Sequence, residues 1–175
     1  MTKVGFKEPF TAWLMGPTSS GKTTIAEALM KDILNRRNNI IHYDGDEIRN
    51  LFGKDFGFSE KNRGKVVETL VYLANKANQS GISVLVSALT GHLSSRKFVQ
   101  SNIKNLKTIF VDCPIEVCAS RDPKGLYAKA KNKEIDTLIG FNSKYISPSN
   151  PDLVLHTNSF SIKENVNQLI DFLKI

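Results

Sequence analysis

Gly16, Gly21, Lys22 and Thr23 stand as Gly-x4-Gly-Lys-Thr within the stretch GPTSSGKTT. Glycines at that spacing let the backbone curl until several N–H groups point at one anion, and a helix opening at the lysine adds its positive end. Lysine reaches the outer phosphates of a bound triphosphate and the threonine hydroxyl ligates Mg²⁺, so the pattern is that of a P-loop. Gly16, Ser19, Ser20, Gly21, Lys22, Thr23 and Thr24 are therefore the expected ATP-binding residues. An apolar strand pattern precedes the loop and a helical pattern follows it, the context this chemistry needs.

A P-loop leaves the acceptor of the γ-phosphate open. No Asn-Lys-x-Asp base-reading motif is present, against a GTPase, and 175 residues are few for a motor ATPase. The stretch HYDGDEIR places Asp44, Asp46 and Arg49 just past a second apolar run. Phosphoryl transfer to an alcohol needs a carboxylate near the acceptor hydroxyl, and the metal needs a carboxylate or its water. Asp44 is the expected base and, with Thr23, the expected metal contact; Lys22 shares the catalytic work, and Asp46 and Arg49 would hold the acceptor. Asp112 at the end of TIFVD is a rival carboxylate, either a magnesium ligand or the cap of the helix beginning at Pro114; the cap is preferred. His42, Trp13 and His156 read as packing residues, whereas His92 lies where it could reach the acceptor.

The elements that must carry these residues alternate regularly. Strand patterns fall at 11–15, 39–44, 82–88, 107–112 and 151–157, with helices from Lys22 through Leu34, over 59–81 ended by Gly81, over 94–102 and from Pro114. A final helix starts at a capping box of Ser161 and Glu164. This alternation predicts an α/β fold, a mostly parallel five-stranded sheet with helices on both faces, whose ligands bind at the carboxyl ends of the strands. One domain over 1–175 is expected. No apolar run approaches the roughly 18–20 residues of a membrane span, and MTKVGFKEPF has no apolar signal core, so a cytoplasmic protein with reduced Cys113 and Cys118 is expected. The net charge of +7 admits polyanionic partners. Much of the basic charge gathers in RDPKGLYAKAKNKE, and no basic-and-aromatic stacking surface stands out, which disfavours nucleic acid.

Taken together, GPTSSGKTTIA, YDGDEIR, FGFSEKNR, SGISVLVSA, FVDCPIEVCASRDPKGLYAKAK and NPDLVLHT resemble the adenylylsulfate (APS) kinases, in family order over nearly the whole chain. The resemblance implies a P-loop kinase fold, ATP with Mg²⁺, and phosphorylation of the ribose 3′-hydroxyl of adenosine 5′-phosphosulfate. It implies Asp44 as catalytic aspartate and Asp46, Arg49, Phe58 and Arg63 as acceptor contacts, Phe58 stacking on the base. A helical lid over about 121–133 would close on ATP with Arg121 and bring Lys129 toward the phosphates. The family is often dimeric, so a homodimer is admitted.

The departures from the family pattern cluster on the acceptor side. Val66, Glu68 and Thr69 replace Asn and Arg-Arg; Thr90-Gly91 and Leu93 replace Ser-Pro and Arg after Leu89; Leu138 replaces a base-packing Phe, with Phe141 and Lys144 nearby. Leu89, Thr90, Leu138 and Phe141 are the acceptor residues this comparison adds. A less basic pocket points to a relative of the family, cytidine diphosphoramidate kinase, whose acceptor is a CDP-amine; APS itself is the alternative, and a catalytically silent nucleotide-binding module the second alternative.

Overall fold

The computed structural model describes residues 8–34 and 39–175. The first seven residues, which include most of the segment read above for a signal core, lie outside it. Five strands, β1 (Thr11–Met15), β2 (Ile40–Asp44), β3 (Ser83–Ser87), β4 (Leu106–Asp112) and β5 (Leu153–His156), form one sheet in the order β2-β3-β1-β4-β5. Every pairing is parallel. Seven α-helices connect them among the described residues: α1 (Lys22–Ile33), α2 (Gly45–Leu51), α3 (Glu60–Gln79), α4 (Leu93–Asn102), α5 (Ile115–Arg121), α6 (Leu126–Lys131) and α7 (Ile162–Leu173).

A sheet covered on both faces needs strands that are apolar throughout, and β1 is buried at all five positions. Its side chains alternate between two cores. Trp13 and Met15 join Val84 and Val86 under α3 and α4, while Ala12 and Leu14 join Leu85, Ile109 and Val111 under α1 and α7. A third cluster, Cys113, Cys118, Tyr127, Ala130 and Leu138, lies under the lid. Both cysteines are free thiols there.

Local signals set the helix ends. Gly81, at φ +78°, follows α3 in the left-handed conformation that glycine adopts without strain. The capping box at α7 forms in full, Ser161 receiving the Glu164 N–H and Glu164 receiving the Ser161 N–H. Asp112 does not cap α5. Pro114 occupies the cap position with no side-chain bond, and Asp112 instead faces His156 across β4 and β5, its Oδ2 3.1 Å from His156 Nδ1. The sheet register brings those two together, and no local spacing could reveal it.

Candidate active site

The loop between β1 and α1 is held by close backbone packing. A Cβ on Gly16 would lie 2.4 Å from the Val111 carbonyl oxygen, so only glycine fits there. Ser19 and Gly21 turn the chain with φ of 63° and 99°. The buried hydroxyls of Ser19 and Ser20 have no hydrogen-bond partner among the described residues. Unpaired buried donors beside a helix N-terminus fit an anion, as the phosphates of ATP require. Lys22 Nζ donates to the carbonyls of Gly16 at 3.0 Å and Pro17 at 2.7 Å. Burial lowers its pKa to about 8, against the opposing pull of Asp46, Cys118 and Asp44.

Asp44 ends β2 and caps α2, and its carboxylate accepts three hydrogen bonds. Oδ1 accepts the Asp46 N–H at 2.7 Å. Oδ2 accepts the Thr23 hydroxyl at 2.7 Å and the Ser87 hydroxyl at 2.6 Å. Burial alone would raise this carboxyl; the bonds from Ser87, Thr23 and the Asp46 N–H outweigh it and hold Asp44 below the ordinary carboxylate range. One residue thus serves as helix cap and as the carboxylate facing the phosphate loop. Thr23 and Asp44 present two hard oxygen donors side by side, and among the described residues no cluster of three or more His, Cys, Asp or Glu could hold a metal. That set suits Mg²⁺, which binds through one or two protein oxygens, substrate phosphates and water.

The acceptor side mixes residues that line the cavity with residues that do not. Asp46, Arg49, Arg63, Leu89 and Thr90 line the same cavity of about 640 Å³ as the P-loop. Thr90 is buried at φ 43°, and its hydroxyl accepts the Trp13 indole N–H at 2.9 Å. Trp13 is core, as expected, but it also fixes this loop. Phe58 is not part of the cavity wall. The Arg49 and Arg63 guanidinium carbons lie 4.6 and 5.5 Å from its ring centroid, and Arg63 Nε donates to its carbonyl at 2.9 Å. Phe58 thus packs against two cations in this structure. Burial and the neighbouring Arg49 cation lower Arg63 to about 10, against Asp46.

Leu138 and Phe141 are likewise off the cavity. Leu138 is buried in the lid cluster, and Phe141 is half-exposed beside a separate shallow pocket. The substituted positions divide the same way. Val66, Gly91 and His92 line the cavity, whereas Glu68 and Leu93 are exposed outside it. His92 Nδ1 is 3.6 Å from Glu60.

The lid is docked by three ties. Arg121 donates to the Thr157 hydroxyl at 3.0 Å and carbonyl at 2.6 Å, and Thr157 in turn donates to the Ser20 carbonyl at 2.7 Å. The Tyr127 hydroxyl donates to the Thr18 carbonyl at 3.1 Å, and Lys124 pairs with Asp46. Lys129, expected near the phosphates, is exposed on α6 and outside the cavity, because Tyr127 and Ala130 turn the other face of that helix into the lid cluster. Sequence reasoning missed Lys124, Thr157 and Ser87. Lys124 lay within the quoted RDPKGLY; the other two are brought in by sheet register.

A parallel sheet with a P-loop after its central strand, a carboxylate hydrogen-bonded to the P-loop threonine and a docked helical lid define an ATP-dependent phosphotransferase of the P-loop kinase type. Residues 8–156 match the adenylylsulphate kinase family model. The chain is 36% identical over 163 residues to the adenylyl-sulfate kinase of Deinococcus deserti, covering 93% of this chain and 90% of that one. It is 34% identical over 164 residues to the probable adenylyl-sulfate kinase of Bacillus subtilis, covering 93% and 83%. The structure of the Mycobacterium tuberculosis APS kinase in complex with AMPPNP and APS superimposes with a TM-score of 0.89 at 33% identity, covering 96% of this chain and 99% of that one. The chain belongs to the adenylylsulphate kinase family, and it is a nucleotide kinase that uses ATP and Mg²⁺ to phosphorylate a hydroxyl. Among the described residues no helix is long and apolar enough to cross a membrane.

Proposed function

We propose that the chain, acting as one P-loop kinase domain with its lid over about 121–133, transfers the ATP γ-phosphate to the ribose 3′-hydroxyl of adenosine 5′-phosphosulfate. The observation that supports this reading is the 2.7 Å bond between the Thr23 hydroxyl and Asp44 Oδ2, which holds a carboxylate against the phosphate loop. The names of its relatives favour the adenosine acceptor over the CDP-amine expected from the substituted pocket.

In this mechanism Lys22 and the P-loop N–H groups hold the phosphates, and Asp44 orients the acceptor hydroxyl and takes its proton as its oxygen bonds to the γ-phosphorus and the bond to the departing ADP breaks. Mg²⁺, held by Thr23 and Asp44, would neutralise charge on the transferring group. Arg121, Lys124 and Tyr127 hold the lid over the site, excluding water as a competing acceptor. The enzyme would work in the cytoplasm, alone or as a homodimer.

One observation keeps the CDP-amine reading open as a second choice. Val66, buried on the cavity wall, offers no hydrogen bond where the family pattern has Asn. Glu68, which entered the same argument, is outside the cavity and lends it nothing. Competition between APS and CDP-amine at equal concentration separates the two. A preference for APS of about tenfold or more, about 1.4 kcal/mol, is expected. The reverse preference installs the second reading.

A further inference from the structure

His42 belongs to none of the chemistry assigned so far, yet through Ser87 it joins Asp44 in an unbroken hydrogen-bonded chain. Asp44 and Ser87 are register partners on the parallel strands β2 and β3. His42 lies two residues before Asp44 and so on the same face of the sheet. Ser87 is 2% exposed. Its Oγ is 2.6 Å from Asp44 Oδ2 and 2.9 Å from His42 Nε2.

The direction of the chain follows from counting hydrogens. An ionised carboxylate only accepts, and a serine hydroxyl has one hydrogen. Ser87 gives that hydrogen to Asp44. The ring nitrogen of His42 must therefore donate to Ser87, which places the imidazole proton on Nε2 and leaves Nδ1 bare. The chain runs from imidazole to hydroxyl to carboxylate.

We propose that His42 and Ser87 are positioning residues for Asp44: the imidazole N–H aims the Ser87 hydroxyl, and the hydroxyl fixes the Asp44 carboxylate against the P-loop threonine. This rests on the reading of Asp44 as the base. Oδ1 is pinned by one N–H, and Oδ2 by Thr23 and Ser87. Thr23 is also the expected metal ligand. Ser87 is then the Oδ2 donor with no second duty, and His42 acts only through it. Each link has a distinct consequence. Loss of the hydroxyl frees the carboxylate to turn; loss of the imidazole frees the hydroxyl to turn; and once the hydroxyl is gone the imidazole has nothing left to aim.

Two readouts on the full chain test this. In the wild type at pH 8, where an ordinary imidazole is neutral, ¹⁵N-resolved NMR of the His42 ring should show the Nε2–H tautomer. This needs no variant and no acceptor, so it stands apart from the acceptor assignment. Kinetics with ATP and the turning-over acceptor form the second readout. Ser87→Ala should lower kcat by about tenfold, the scale of one hydrogen bond to an ionised group, with the ATP KM within about twofold of wild type. His42→Leu should lower kcat by about threefold and His42→Gln, whose amide can donate in the same place, should restore most of it. The double variant Ser87→Ala/His42→Leu should be no slower than Ser87→Ala alone. An Nδ1–H tautomer, single effects that multiply in the double variant, or a glutamine variant as impaired as the leucine one would overturn the chain. An Nε2–H tautomer with unchanged kcat in Ser87→Ala would show that the bonds exist but do not serve catalysis.

Discussion

The two halves of the site are fastened differently. At the strand ends, the P-loop and Asp44 are set by sheet register and by a glycine contact with no room for a methyl group, and their key bonds run between adjacent strand ends and the first turn of α1. The lid is fastened by a few side chains that reach across long sequence separations to Thr18, Asp46 and Thr157. The strand-end half is fixed by backbone packing, while the lid half rests on a few side-chain ties. Changes in the first half should abolish turnover, and changes in the second should only tune binding.

Gly16→Ala attacks the rigid half. The new Cβ meets a backbone carbonyl at 2.4 Å and the Ser20 Oγ at 2.9 Å, so the loop must shift. A displacement near 1 Å at reacting groups costs about a hundredfold, and steady-state kcat/KM for ATP should fall by at least about that much. A value within a few-fold of wild type would mean that the loop is more pliable than its packing implies.

The lid should respond more mildly. Lys124 and Asp46 are both about half exposed (51% and 57% of their side chains), and pairs of that kind are worth little. Lys124→Ala should raise the ATP KM by about two- to fivefold, the span of an exposed ion pair, whereas Lys129→Ala should leave it unchanged. An effect at Lys129 larger than at Lys124 would restore the expectation drawn from the family resemblance.

The smallest effect is chemical silence beneath the lid. Cys118 is fully buried and Cys113 is 4% exposed, and burial, with the neighbouring Cys113, pushes the Cys118 thiol up to about 12. A thiol held protonated is a poor nucleophile. Thiol titration at pH 8 should find neither cysteine reactive in the folded protein and both reactive in denaturant. Rapid labelling of the native protein would show a lid that spends much of its time open.

What could be read from the sequence follows the same division. Gly-x4-Gly-Lys-Thr states its own conformation, since each residue acts through its immediate neighbours. The apolar runs at 11–15 and 82–88 could belong only to strands covered on both faces, and Ser161 with Glu164 announced α7 locally. The misplaced residues depended on non-local choices. The phase of α6 turned Lys129 outward, while Lys124, ahead of that helix, met Asp46. The β4–β5 register drew Asp112 to His156 and away from a cap, and the β2–β3 register brought Ser87 to Asp44. Phe58 meets two arginines, one on α2 and one on α3, a pairing that no local spacing shows. Leu138 and Phe141 went with the lid because their segment folds back on α5 and α6, an arrangement with no periodic signature.

Asp44 is assigned two duties, base toward the acceptor and oxygen donor toward Mg²⁺, and an asparagine there keeps an oxygen for the metal but cannot take a proton. Asp44→Asn, assayed for ATP affinity by calorimetry and for phosphoryl transfer under saturating acceptor, tests this most directly. ATP binding should stay within about threefold of wild type, while turnover falls by about 10²–10⁴-fold, the range for loss of a general base. Near wild-type turnover in that variant would contradict the role assigned to Asp44.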